Sequence, residues 1–213
     1  YEWWFTSKPF KPIDMAGYDL SKNNRLETLL FDGINLSNLK TPAHTMKSLE
    51  LKHGVYTNAN LNDIHAKRID IENSDAADEQ LIVNNKALQY LALSTNTEEN
   101  KGFKRLDVAH SSLHKLYVIE TSSMTRSLKK IVLNDKIDTL TVGGYTWRAD
   151  APQTSVELEG LSRLNKLKFF SYNPDFTAVA TKDLPANIEE LYIGGSGNVP
   201  YKDDDSFDYS RLT

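Results

Sequence analysis

The stretch "FKRLDVAHSSLHKLYV", residues 103–118, contains one small pattern twice. Phe103, Leu106 and Val108 have the spacing apolar-x-x-apolar-x-apolar, and residues 113–118 repeat that spacing ten positions later. The last two apolar residues of each copy alternate with polar ones at a period of two, which predicts a short strand with one buried face. Two such strands so close together indicate two faces of one coil of a solenoid.

The same pattern recurs along most of the chain. Its eight main copies begin at Leu26, Met46, Ala66, Leu88, Leu113, Ile137, Leu164 and Ile188, in steps of 20 to 27 residues. One coil of this length cannot bury its apolar face alone, so the coils must stack. The sequence therefore predicts a mainly β fold, a β-rich α/β solenoid of about eight coils, right-handed, with a short-stranded parallel sheet. Its ladder of buried residues is Leu29, Leu49, Ile69, Leu91, Leu116, Leu140, Leu167 and Leu191.

A second strand per coil is predicted from patterns that lie outside this ladder. Besides Leu106 and Val108, they are Leu81-x-Val83, Leu128/Ile131/Leu133 and two looser matches, Tyr18-x-Leu20 and Val156-x-Leu158. The segment "ADEQLIVNNKALQYL" can be read as a helix or as strand, turn and strand. Because two adjacent asparagines interrupt it, we favour the second reading.

Composition limits the classes of partner. The chain has 213 residues, 39% of them hydrophobic, with a net charge of -4, and its 25 Lys and Arg residues are scattered. We therefore expect a folded protein that does not bind nucleic acid. No window approaches eighteen consecutive apolar residues, which predicts no membrane span in this segment. The absence of cysteine excludes disulfides and thiolate metal sites but leaves the compartment open.

No chemical motif is specific enough to predict catalysis. "GGSG" at 194–197 lacks the Lys-Ser/Thr pair of a phosphate loop, and the aspartates in 203–208 do not match a calcium loop. His110 and His114 fall in strand and turn positions that point differently. Asn35-Leu36-Ser37 is a glycosylation acceptor only in a host that modifies such sites. We predict no catalytic residue, no cofactor and no metal, and hence a protein that is not an enzyme.

Segments such as "YDLSKNNRLETLLFDGINLSNL" and "KRLDVAHSSLHKLYV" resemble the divergent leucine-rich repeats of bacterial cell-surface proteins. The resemblance covers roughly residues 18–195. It implies two short strands per coil, export to the cell surface or the extracellular space, and a role in adhesion or protein binding.

The chain departs from the standard leucine-rich repeat at one position. That repeat places Asn eight residues after its first Leu, and here only Asn96 fits. An ordinary horseshoe with an asparagine ladder is therefore disfavoured. Helices on the convex side are disfavoured too, because few inter-strand segments have helical spacing.

Three parts of the chain are expected. Residues 1–15 form an N-terminal cap or the end of an upstream segment, with Trp3 or Trp4 packed against the first coils. Residues 16–196 form the solenoid, and residues 197–213 form a C-terminal cap or tail.

Strand alternation predicts a candidate binding surface on the outward face of the sheet. Aromatic and cationic residues together are typical of binding hot spots. They gather in the C-terminal half as Lys115, Tyr117, Ile119, Lys166, Lys168, Phe170 and Tyr192. The alternative is a solvated sheet face with incidental aromatic residues.

The function predicted from these observations is noncatalytic binding, of a protein or a glycan, by a monomer. Two alternatives stay open. One is a carbohydrate-active enzyme, which would need two convergent carboxylates in a cleft. The other is an intracellular substrate-recognition arm of a larger complex.

Overall fold

The computed structural model describes residues 12–15, 17–97, 102–122, 127–146 and 155–194. In chain order, the strands are β1 Ile13–Asp14, β2 Thr28–Asp32, β3 Ile34–Asn35, β4 Met46–Lys52, β5 Val55–Tyr56, β6 Ala66–Glu72, β7 Asp75–Ala76, β8 Gln80–Ile82, β9 Tyr90–Thr97, β10 Arg105–Asp107, β11 Lys115–Ser122, β12 Lys130–Val132, β13 Thr139–Thr146, β14 Glu157–Glu159, β15 Phe169–Tyr172 and β16 Glu190–Ile193. A six-residue helix, α1, spans Asn58–Asp63, and two 3-10 turns span Leu161–Arg163 and Thr181–Asp183.

Eight parallel strands form the main sheet, in the order β2, β4, β6, β9, β11, β13, β15 and β16. The predicted ladder is confirmed through its first six members. Leu29, Leu49, Ile69, Leu91, Leu116 and Leu140 lie side by side in register and are all buried. From Leu49 to Leu140, each inward residue lies between the strands of the coil before and the coil after it, as stacking requires.

The register predicted for the seventh ladder position is wrong by three residues. Leu140 aligns with Phe170, whereas Leu167 lies ahead of β15. The sequence around this strand contains two overlapping matches, Leu164-x-x-Leu167-x-Phe169 and Leu167-x-x-Phe170-x-Tyr172. The structure adopts the second match, which places two stacked rings in the core with their centroids 4.9 Å apart.

The eighth member, Leu191, is aligned as predicted but is not buried. It pairs with Phe170 in register, yet 45% of its surface is exposed, and Ile193 in the same strand is 54% exposed. Strand β16 stands at the end of the main sheet. Among the described strands, only β15 lies beside it, so Leu191 is aligned with the ladder without being buried.

The predicted second strand is confirmed in the C-terminal half. Strands β8, β10, β12 and β14 form a four-stranded parallel sheet. Leu81, Leu106, Ile131 and Leu158 are aligned across it. The looser match at Tyr18-x-Leu20 forms only an isolated bridge between Asp19 and Lys40.

The N-terminal half uses a different second strand, which the sequence reasoning missed. Strands β1, β3, β5 and β7 form another four-stranded parallel sheet. In these coils β3, β5 and β7 follow the main strand directly, after a corner residue with positive φ. Those corners are Gly33 at 68°, His53 at 47° and Asn73 at 46°. In the C-terminal half the main strands β9, β11 and β13 run on for eight residues each.

The segment at residues 77–91 forms strand, turn and strand, as predicted, with β8 and β9 on either side of Asn84 and Asn85. The buried Asn85 organises the turn. Its Nδ2 donates to the carbonyl oxygens of Leu61 and Ile64 at 2.9 and 2.8 Å. Its Oδ1 accepts from the next backbone N–H groups, which include that of Leu88 at 3.3 Å.

Other buried or half-buried amides reach back to the preceding coil in the same way. Asn60, Asn134 and Asn187 donate to the carbonyl oxygens of Leu36, Leu113 and Leu167 at 2.8, 3.2 and 2.6 Å. Buried carbonyl groups need such partners because leaving them unpaired is costly. The chain therefore has a column of amides, but at the corner before the main strand and not at the position of the standard repeat. The side chain of Asn96 lies outside the described residues.

These sheets define a mainly β, parallel solenoid with little helix. Helix α1 begins with a capping box between Thr57 and Asn60. Along the described ranges, no helix is long and apolar enough to cross a membrane. Of the predicted end segments, residues 12–15 contribute β1 and the buried Met15. Trp3, Trp4 and residues 197–213 lie outside the described part of the chain.

Candidate binding face of the main sheet

The outward face of the main sheet differs between its two halves. In the C-terminal half, the outward side chains along the middle of the strands are buried: Tyr117 is 1% exposed, and Thr141 and Ser171 are 0% exposed. The N-terminal half presents partly exposed charged residues at the equivalent positions, such as Glu50 and Asp70. An incoming partner can therefore reach the N-terminal half of this face.

Four predicted site residues do lie on the outward face, in its C-terminal half. Lys115, Tyr117 and Ile119 belong to β11, and Tyr192 belongs to β16. Tyr117 is buried with its ring 5.2 Å from that of Tyr90, and the other three side chains are partly buried. The expectation that Tyr117 is exposed for contact is wrong, because alternation predicts which way a side chain points but not what covers it.

The other three predicted site residues do not lie on this face. Phe170 points inward and is 0% exposed, because β15 is shifted by three residues from the predicted register. Lys166 lies in an exposed turn before the strand. Lys168 precedes β15 and pairs with Glu189 at 3.1 Å. The predicted cluster of aromatic and cationic residues is therefore not assembled.

A groove of about 570 Å³ lies on the N-terminal half of the outward face. It runs across β4, β6 and β9, and we call it the open groove. Its polar lining is Ser48, Glu50, Arg68, Asp70, Glu72 and Ser94. Strand alternation also places these residues on the outward face, but the prediction looked for aromatic residues beside cationic ones, and the lining of the open groove contains no aromatic residue.

Arg68 is held in place within the open groove. Its guanidinium binds both carboxylate oxygens of Asp70, at 2.6 and 3.1 Å. The same group lies 4.0 Å above the centre of the Tyr90 ring. Bidentate pairing and a cation–π contact together fix a planar guanidinium. Arg68 therefore forms a rigid, charge-balanced wall of the groove.

Lys52 joins two carboxylates at the other side of the groove. Its Nζ lies 2.9 Å from Glu50 and 3.2 Å from Glu72 on the neighbouring strand. The hydrogen bond to Glu50, and then that to Glu72, raises the pKa of Lys52 above its ordinary value. The ammonium group therefore stays charged at neutral pH while two anions share it.

The first strand of the sheet extends this surface. Leu30 on β2 pairs in register with Glu50 and is 64% exposed. Asp32 on the same strand lies 2.9 Å from Nδ1 of His53. Within the described residues, no group of three or more His, Cys, Asp or Glu side chains is placed to hold a metal ion. The outward residues of β2, β4 and β6 can therefore bind several polar and charged groups of a ligand at once, with neighbouring contacts separated by the spacing between strands.

Comparison with protein-family models, with curated proteins and with solved structures gives no match to this chain. The class of the protein therefore follows from its own architecture, a β-rich parallel solenoid. The resemblance to bacterial surface leucine-rich repeats stays a prediction from the sequence.

Proposed function

We propose that this chain is a noncatalytic binding module of an exported or cell-surface protein, and that it binds a protein partner through the N-terminal half of the outward face. The observation that supports it is the contrast between the buried outward residues Tyr117, Thr141 and Ser171 of the C-terminal half and the open groove of the N-terminal half. A rigid parallel sheet presents side chains from successive coils at fixed spacing, which suits binding by several residues at once. Export follows from the sequence resemblance.

Substitution within the groove tests the binding function. Ser94 lines the open groove, and Ser162 lies exposed in a turn away from it. Peptide ligands selected from a displayed library on the wild-type protein should bind Ser94→Trp at least ten times more weakly, because the indole fills the groove. They should bind Ser162→Trp as they bind the wild type. Ligands that bind both variants equally well would place the binding surface elsewhere.

Localisation is tested separately on the full-length protein. Surface labelling of intact cells, followed by fractionation, should recover it in the labelled fraction. Recovery from the cytoplasm alone would contradict export and would favour the intracellular recognition arm.

A further inference from the structure

The charge of the outward face in β2, β4 and β6 is unbalanced. At the outward positions of these strands lie four carboxylates, Asp32, Glu50, Asp70 and Glu72, and two cations, Lys52 and Arg68; two further lysines, Lys47 and Lys67, stand near the starts of β4 and β6 and do not line the open groove. Strand alternation places all six side chains on one face. These outward positions therefore carry two more carboxylates than cationic side chains.

The fixed position of Arg68 keeps the imbalance local. Its guanidinium is engaged by Asp70 and by the Tyr90 ring, so it cannot turn toward Glu50 or Glu72 without losing both contacts. Lys52 is the cation that these two carboxylates share. Their side chains are 37% and 50% exposed, which leaves them accessible to a second cation.

An apolar side chain lies directly beside the carboxylates. Leu30 is the register partner of Glu50 and is 64% exposed. Lysine and arginine side chains carry an apolar stem below the charged head. A surface with an exposed leucine next to a carboxylate matches both parts of such a side chain.

We propose that the open groove binds a cationic segment of a partner protein. A lysine or arginine of that segment pairs with the exposed side of Glu50 or Glu72 that Lys52 leaves open, with its stem or a neighbouring apolar residue against Leu30. The carboxylates belong to separate strands, about 4.8 Å apart, and the described residues hold no group placed to converge on one ion, so the site suits separate cationic side chains better than a metal. This inference rests on the proposed function, since it names the partner of the same face.

The test uses two labelled peptides, Ac-KTKLKTK-NH2 and Ac-ETELETE-NH2, and fluorescence anisotropy. The wild-type protein should bind the first peptide and not the second. Raising NaCl from about 50 to about 300 mM should weaken binding several-fold because screening shortens the range of the charges. Glu50→Gln combined with Glu72→Gln should weaken it at least tenfold, and Leu30→Ser should weaken it about threefold.

The matched control removes two carboxylates elsewhere. Asp135 and Asp183 are exposed in turns outside the groove, and Asp135→Asn with Asp183→Asn changes the net charge equally. This variant should bind the cationic peptide within twofold of the wild type. Equal loss in both double variants, no loss in either, or equal binding of the acidic peptide would overturn the inference. Library ligands that need Ser94 but are neutral or acidic would overturn it too, while leaving the proposed function standing.

Discussion

Asn58 and Asn62, four residues apart on α1, use their side-chain amides as if they were peptide groups of a neighbouring strand. Asn58 accepts from the N–H of Ile82 and donates to the carbonyl of Gln80, both at 2.7 Å. Asn62 donates to the carbonyl of Ile82 at 2.7 Å and accepts from the N–H of Asn84 at 2.6 Å. The pair thereby covers the free edge of β8, where the second sheet of the C-terminal half begins.

Removing these amides should weaken that edge. Asn58→Ala deletes two partly exposed hydrogen bonds and Asn62→Ala deletes three, since Asn62 also donates to the carbonyl of Asn58 at 2.8 Å. At about 0.5 to 1.5 kcal/mol for each bond, either change should cost about 1 to 3 kcal/mol in urea unfolding. Asn24→Ala, at an exposed turn position, serves as the control and should change stability by less than about 0.5 kcal/mol. Costs equal to that of the control would show that water replaces the amides without loss.

Asn85 should be more important than its neighbour Asn84. Asn85 is 4% exposed, and Asn85→Ala would leave the buried carbonyls of Leu61 and Ile64 without their partner, so we expect a cost of about 3 kcal/mol or more. Asn84 is exposed, and Asn84→Ala keeps its backbone bond to Asn62, so its cost should stay below about 0.5 kcal/mol. If chemical denaturation shows the same loss of unfolding free energy for Asn85→Ala and Asn84→Ala, the amide column does not have the structural role assigned to it.

The sequence predicts the main ladder because a two-residue alternation determines which face of a strand is buried. At β15 two matches overlap, since Leu167 is the middle residue of one and the first residue of the other, and the prediction took the first match where the structure adopts the second. The choice depends on how Phe170 and Tyr172 stack in the core, and local spacing does not contain that information. The sequence did not predict the corners at His53 and Asn73, because positive φ is uncommon in residues other than glycine.

The candidate site was predicted less well than the fold. Outward residues are identified by alternation, and the positions of Lys115 and Tyr117 on β11 follow from it. Whether they are buried depends on what packs over the outward face, and a period of two does not contain that information. The sequence analysis did not predict the amide column either, although Asn85 and Asn134 each lie three residues before the first apolar residue of a repeat. That spacing is a usable signal for similar solenoids.

Position along the ladder should determine the cost of losing an inward leucine. Leu116→Ala creates a cavity between two coils and should cost about 2 to 5 kcal/mol, and Phe170→Ala should cost about 3 to 5 kcal/mol. Leu191 belongs to the same column but is 45% exposed, so Leu191→Ala should cost less than about 1.5 kcal/mol. Thermal and urea unfolding of the three variants measures this order. A large cost for Leu191 with a small one for Phe170 would support the register that the sequence first suggested.

Gly144 should not tolerate a methyl group. A Cβ at this position would lie 1.9 Å from the backbone carbonyl oxygen of Glu120 on the neighbouring strand. Because the obstacle is backbone, Gly144→Ala must displace β13 from β11 and should cost more than about 3 kcal/mol. Gly17→Ala is the matched control, since it has open space around its Cβ and only a positive φ to strain, at about 1 kcal/mol. Comparable losses for the two variants would contradict the close approach of the strands.

Tyr56 is buried in β5, and its hydroxyl has no hydrogen-bond partner among the residues that the structure describes. A buried hydroxyl without a partner destabilises the folded state, so Tyr56→Phe should raise the free energy of unfolding by about 1 kcal/mol at neutral pH. Tyr18→Phe, at a ring that is 58% exposed, should leave it unchanged within about 0.5 kcal/mol.

The same residue predicts a difference in alkaline stability. Burial, and to a smaller extent the charge of Asp75, raises the pKa of Tyr56 far above its ordinary value of 10.0. Above pH 10 the unfolded chain releases this proton while the folded chain retains it, so Tyr56 lowers the stability of the wild type as the pH rises. Tyr56→Phe lacks this loss, and its stability advantage over the wild type should widen between about pH 10 and pH 11, by up to about 1.4 kcal/mol per pH unit. Urea unfolding of both proteins across that range measures the difference, with Tyr18→Phe following the wild type. A constant advantage at all pH values would mean that the Tyr56 hydroxyl ionises in the folded protein as readily as in water.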